Sequence, residues 1–165
     1  MVGAAGIGMA LILAGCAGRR SEEAAVYRSG KGYRVMLPPR DWRVVGDSRA
    51  DLELRHREGP AGILVNASCD PRMAGRSPEA LRREILAGFS DREVHVQGAL
   101  SVSGREASHT VVDGRAGARD ERVRVELLVL SGDRCVYDLA YAAPPADFAR
   151  WQPDFQRLVG TFTLE

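Results

Sequence analysis

The chain lacks most of the signatures that mark specialised chemistry. No apolar run reaches the ~20 residues a helix needs to span a bilayer. Cysteine occurs only at Cys16, Cys69 and Cys135, with no C-x-x-C, so neither a zinc ribbon nor a thioredoxin-like redox motif is present. Lysine occurs once, at Lys31, and 23 basic residues face 22 acidic ones for a net charge of +1. Nucleic acid binding asks for a basic excess that is missing here, so no nucleic acid partner is expected. The histidines, His56, His95 and His109, each stand alone in strand-like stretches, with no second ligand at a spacing such as H-x-H or H-E-x-x-H. No metal and no cofactor is therefore expected. There is no G-x-S-x-G elbow and no serine beside a recognisable base. The glycine-containing "GRAGAR" at 114–119 lies between two strands and not before a helix, which makes it a hairpin loop and not a phosphate cradle. The expectation is a protein that is not an enzyme.

What is present begins with an address. Residues 2–15 carry no charged side chain and run into Cys16, so that the stretch closes on Leu13-Ala14-Gly15-Cys16. The stretch has the length of a secretory h-region, which is removed and excluded from fold reasoning. Its last four residues resemble the lipobox of bacterial lipoproteins: aliphatic, small, small, cysteine. The resemblance implies cleavage between Gly15 and Cys16 and a diacylglyceryl group on the Cys16 thiol. It also implies acylation (palmitate-type) of the new amine, because stable anchoring takes more than one chain. The alternative is a buried N-terminal helix with an ordinary core cysteine. The reading places the protein in the cell envelope, with its partners the membrane, reached through lipid, and an unidentified envelope protein. By similarity to Gram-negative lipoproteins, Ala17 after the cysteine, where no Asp stands, favours the outer over the inner membrane, with the domain in the periplasm.

Three segments follow: signal peptide at 1–15, flexible tether with lipidated Cys16 at 16–31, and one domain at 32–165. Hydrophobic content of 45% and charged content of 27% suit a globular domain. Cys69 and Cys135 are an even pair in an exported chain, so a disulfide is expected, with two unpaired buried thiols as the alternative. Cys69 is in phase with Ile63, Val65 and Ala67, and Cys135 with Tyr137 and Leu139, so the two meet if those strands are neighbours.

The domain alternates between patterns. Tyr33, Val35 and Leu37 mark a half-buried strand closed by Pro38-Pro39, and "ADLELRHREG" and "ILVNASC" flank a Gly-Pro turn as a hairpin. Ser77 and Pro78 suit the cap and first turn of a helix over "EALRREILAGF", whose expected apolar stripe is Leu81, Ile85 and Phe89. Three or four strands follow, with Val123, Val125, Leu127 and Val129 on one face of the strongest; Leu128 and Leu130 suggest that both of its faces are covered. Arg115, Arg119, Arg122 and Arg124 are interleaved with Asp113, Asp120, Glu121 and Glu126, which reads as a solvated mixed face. Phe148, Trp151, Phe155, Leu158 and Val159 then follow helical spacing, with Pro153 either kinking one helix or starting a second, and Gly160 ending it. Thr161 to Leu164 trail onto the sheet.

Tyr33, Pro38 and Trp42 at the start, with Phe148, Trp151, Pro153, Phe155, Val159 and Phe162 at the end, resemble the PsbP-like fold family over most of 32–164. The resemblance implies an α+β fold with a central antiparallel sheet flanked by helices. It brings no catalytic motif, and it makes Trp42, Trp151, Phe155 and Phe162 core anchors in preference to a ligand box. The expected function is a lipid-anchored, non-catalytic binding or adaptor module. The alternatives are a carrier of an apolar ligand and, behind it, an unrecognised hydrolase.

Overall fold

The computed structural model describes residues 25–39, 41–73, 75–117 and 121–165. Gly15 and Cys16, with the signal and lipidation assignments they carry, lie outside the described residues.

Alternating hydrophobicity over the middle of the chain produces one large antiparallel sheet. Its strands are β3 (Trp42–Val44), β4 (Leu52–His56), β5 (Gly62–Ser68), β6 (Ser90–Val102), β7 (Arg105–Ala116), β8 (Glu121–Ser131) and β9 (Val136–Ala143), arranged β3-β4-β5-β9-β8-β7-β6. The meander β6 to β9 is built by short turns, and β9 then docks on β5. A second sheet of three strands, in the order β1-β2-β10, comprises β1 (Val26–Ser29), β2 (Tyr33–Met36) and β10 (Thr163–Leu164). Helices α1 (Pro78–Ile85) and α2 (Phe148–Thr161) complete the α+β fold.

Strand periodicity sorts the core into two layers. On one face Leu52, Leu54, Ile63, Val65, Leu139 and Tyr141 pack under Phe148, Trp151, Phe155 and Leu158 of α2 and under Tyr33 and Val35 of the small sheet. On the other, Val112, Val125, Leu127 and Val129 meet Leu81 and Leu86 from α1 and the turn after it. Leu128 and Leu130 of β8 belong to the α2 layer, so this strand is covered on both faces, as its continuous apolar run suggests.

Several expectations change. Val26–Ser29, read as part of the tether, pairs with β2 in the register Val26↔Met36 to Ser29↔Tyr33. Tyr27 fixes it by donating its hydroxyl to the Asp51 carbonyl at 2.6 Å. The ordered domain thus extends past Gly32 toward the N-terminus. In α1, Ser77 caps as expected, its Oγ accepting from the Ala80 N–H at 3.2 Å, with Pro78 opening the helix. The stripe does not continue to Ile85, which is 42% exposed. The buried face of α1 passes instead through Leu81 and Arg82 to Leu86, which opens the 3₁₀ turn Leu86–Gly88 at the end of the helix. Pro153 neither splits nor ends α2: the helix runs through it, and Gly160 lies inside the last turn. The C-terminal residues join β2 of the small sheet and not the central one. Strand β3 follows the proline pair and had no counterpart in the sequence reading.

Candidate functional site

Strands β7 and β8 carry His109, Asp113, Arg124 and Glu126 onto the α2 face. Asp113 stands directly opposite Arg124, and His109 lies diagonal to Glu126. Asp113 and Glu126 are both 4% exposed, so these two carboxylates are buried where a solvated face is expected, whereas Glu121 and Arg122 are exposed and Arg119 and Asp120 lie outside the described residues. Arg124 forks onto Asp113 through Nε at 2.5 Å and Nη2 at 3.0 Å, the bidentate geometry that suits a planar guanidinium. By that hydrogen bonding it holds the Asp113 carboxyl below the usual carboxylate range against the opposing effect of burial. His95 Nε2, on an irregular stretch of β6, lies 3.1 Å from Asp113 Oδ1 and 3.2 Å from Arg124 Nη2. One strand further in, His109 Nε2 is 3.0 Å from Glu126 Oε1, and Gln152 of α2 donates to Glu126 Oε2 at 2.8 Å.

His95 and His109 therefore each have a carboxylate partner, which corrects the reading of three isolated histidines. The partners are 18 and 17 residues away in sequence and become neighbours only through strand pairing, β6 with β7 for His95 and Asp113 and β7 with β8 for His109 and Glu126. His56 is the exception: its Nδ1 accepts from the Glu58 N–H at 3.2 Å, and its ring lies between Trp42 and Trp151. Trp42, Trp151, Phe155 and Phe162 are all core residues, and Trp42 donates its indole N–H to Asp154 at 2.9 Å.

Glu93, His95 and Asp113 bring ligand atoms within 4.8 Å of one another, a grouping with metal-binding potential that sequence spacing did not reveal. Two cations already occupy it. Arg122 Nη2 lies 3.1 Å from Glu93 and 3.7 Å from Asp113, in addition to the Arg124 fork. The carboxylate charge is balanced internally, and a divalent ion would have to displace both guanidiniums. Chemically, the cluster is an ion-pair network.

At the far end of the sheet, Cys69 and Cys135 are joined in a disulfide. Ser68 pairs with Val136, so the two cysteines follow directly opposite one another as the phase argument requires. The bond lines an open cleft of roughly 480 Å³ that also includes Lys31, Arg105, Tyr137 and Glu165. Nearby, Lys31 Nζ reaches Asp51 Oδ1 and the Ala67 carbonyl, each at 2.7 Å, while Asp51 Oδ2 accepts from the Ala67 N–H.

Beside that lock sits Asp138, with Asn66 donating to it at 3.4 Å. Burial pushes its carboxyl up to about 6, the neighbouring Asp51 adds to the rise, and Asn66 and Lys31 oppose it. A folded-state value above the unfolded ~3.9 means that the native state binds the extra proton. The contribution of Asp138 to stability is therefore greatest below pH 4, falls as pH rises to about 6, and is flat beyond. Asp138→Asn should raise stability at pH 7.5 by ~2–3 kcal/mol and leave it unchanged near pH 3.5. Thermal melts of both proteins across that range check this, and a gain independent of pH would contradict it.

No family model matches the chain, and no curated protein matches it in sequence. Solved structures do match in fold, and the class they define is PsbP-like. One is the cyanobacterial PsbP protein CyanoP from Synechocystis sp. PCC 6803, 15% identical, covering 93% of this chain and 99% of its own, with TM-score 0.62. Another is LpqN of Mycobacterium tuberculosis, a protein involved in cell envelope biogenesis, 13% identical over 88% of this chain and 87% of its own, with TM-score 0.58. A Pseudomonas aeruginosa protein of unknown function aligns at 12% identity over 84% and 94% of the two chains, with TM-score 0.53. At these identities the likeness defines the fold alone.

Proposed function

We propose that the chain is a lipid-anchored protein of the cell envelope whose PsbP-like domain acts as a non-catalytic binding or adaptor module. The observation that carries the non-catalytic part is that His95 and His109 are closed on neighbouring carboxylates. His95 and His109 are each committed to a carboxylate, and neither ring hydrogen-bonds a hydroxyl or thiol among the described residues. A general base needs such reach to the proton it abstracts. The carrier alternative has less support, because the apolar layers are filled by side chains such as Tyr33, Tyr141 and Phe155, each 0% exposed. The roughly 480 Å³ cleft is open, and its walls combine Lys31, Arg105, Asp133, Arg134 and Glu165 with the disulfide, Tyr137 and Leu164. For the address, the support is the lipobox-like LAGC, together with the fold shared with LpqN. No helix among the described residues is long and apolar enough to cross a membrane.

Attachment should depend on Cys16. The wild-type protein should sediment with membranes, and Cys16→Ser should lose both acylation and that association. A Cys16→Ser protein still bound to membranes would show that lipid on this residue is not the anchor. Native mass spectrometry of the delipidated domain should find no stoichiometric apolar ligand, whereas one such ligand per domain would favour the carrier.

A further inference from the structure

Strand β1 joins the domain directly to the segment that carries Cys16. Ala25, where the described chain begins, lies nine residues beyond that cysteine. Nine residues reach at most ~30 Å when fully extended. A compact domain of about 140 residues has a radius of gyration of ~14 Å and is ~35 Å across. An anchor on Cys16 therefore keeps the point where β1 enters within less than the domain's own width of the bilayer. At that distance a weak contact is enough, because the tether sets a high effective concentration.

The surface beside that point is the outer face of the small sheet. Tyr33 and Val35 turn inward as core residues, so alternation turns Val26, Arg28, Arg34 and Met36 outward. Register sets them in two rows, Val26 opposite Met36 and Arg28 opposite Arg34. The apolar row lies at the end of the hairpin from which the chain leads back to Cys16, where the Leu37 N–H donates to the Ala25 carbonyl at 2.8 Å. Val26 and Met36 are 50% and 42% exposed. In the second row the two guanidiniums share one carboxylate oxygen, Glu165 Oε1, at 2.6 Å from Arg28 Nη1 and 3.5 Å from Arg34 Nε. Two cations on one carboxylate leave this face net positive among the described residues. Residues 17–24 do not change the balance, since Arg19 and Arg20 are matched by Glu22 and Glu23.

We propose that this face docks on the anionic lipid surface around the anchor, with Val26 and Met36 entering the headgroup boundary and Arg28 and Arg34 meeting lipid phosphates. The proposal rests on the lipid-anchor reading and adds an orientation to it. Contacts of this kind combine apolar burial with attraction to anionic lipid, and a guanidinium suits the bidentate geometry of a phosphate. Helix α1 and the small sheet pack on opposite faces of the large sheet. Docking therefore turns α1, with its exposed Ile85, away from the membrane.

The test uses the full-length, lipid-modified protein in vesicles of equal parts phosphatidylcholine and phosphatidylglycerol. With Cys16 acylated and Cys69 bonded to Cys135, Met36→Cys or Ile85→Cys supplies the one free thiol for a nitrobenzoxadiazole label. Lipid carrying a shallow spin label should quench the probe at residue 36 severalfold more strongly than the probe at 85. Adding Val26→Glu, Arg28→Gln and Arg34→Gln should lower quenching at 36 to the level at 85, with melting temperature and flotation unchanged. Equal quenching at 36 and 85 in a protein that floats with the vesicles would overturn the docking and leave the anchor in place; a face held by a protein partner gives that result. Undiminished quenching at 36 in vesicles of phosphatidylcholine alone would overturn the anionic surface as the partner. A protein unmodified at Cys16 that does not float would remove the anchor, and the docking with it.

Discussion

Replacing Trp151 by Ala should destabilise the domain by ~3–5 kcal/mol, the range for a large aromatic removed from a packed core. The ring is 6% exposed, and it is fixed on several sides. His56 lies 4.7 Å from it, centroid to centroid, and the Arg150 guanidinium sits 4.9 Å over it on the outer side. Gly59, in the turn between β4 and β5, lets the backbone approach so closely that a Cβ there would lie 2.2 Å from the Trp151 indole. The α2-to-sheet contact at this corner therefore has a knob, Trp151, and a glycine that makes room for it. Truncation leaves a void that a turn and a helix cannot both collapse into. Gly59→Ala should also destabilise, because a rigid bicyclic ring cannot bend away as a flexible side chain would. Denaturant unfolding of the two variants checks both statements. A Trp151→Ala loss under ~1 kcal/mol would show that this corner is not part of the cooperative core.

Removing the disulfide should have an effect of similar size by a different route. Cys69 and Cys135 are 66 residues apart in sequence, and closing a loop of that length restricts the unfolded chain by ~4 kcal/mol in the chain-entropy description. The loop contains α1 and strands β6 to β8, and the bond ties together the ends of the neighbouring strands β5 and β9 that close it. It also lies at the turn that holds the small sheet: the Tyr137 hydroxyl donates to the Lys31 carbonyl at 3.1 Å. A Cys69→Ala, Cys135→Ala protein should unfold at markedly lower denaturant and should not respond to reductant, while the wild type should fall toward it on reduction. A wild-type midpoint unmoved by reductant would contradict this.

Where physical signals are local, the sequence was enough. Ser77 and Pro78 mark the start of α1 because a cap hydroxyl and a residue without an N–H have few other uses side by side. Cys69 and Cys135 could be brought together because strand phase survives over seven residues. The strong alternation of β7 to β9 made the central sheet readable as antiparallel. Other features depend on pairing that no local pattern announces. Strand β1 is four residues following a charged segment, and it becomes a strand only because β2 offers it an edge. The His109–Glu126 contact is a diagonal between strands, visible only once Thr110 is known to face Leu127. Burial of Asp113 and Glu126 escaped notice because alternating charges look alike whether water or a facing helix covers them. Gln152 on α2 is what distinguishes the two cases. Ile85 is exposed because the buried face of α1 runs through Leu81, Arg82 and Leu86, and an arginine on that face gives no apolar signal.

The anchored-module account is tested most directly by the intact mass of the native protein extracted from its membranes. It predicts a chain beginning at Cys16, heavier than residues 16–165 by a diacylglyceryl group plus one further acyl chain, and lighter by two protons for the Cys69–Cys135 bond. A chain that retains residues 1–15, or one whose Cys16 thiol is unmodified, would contradict it.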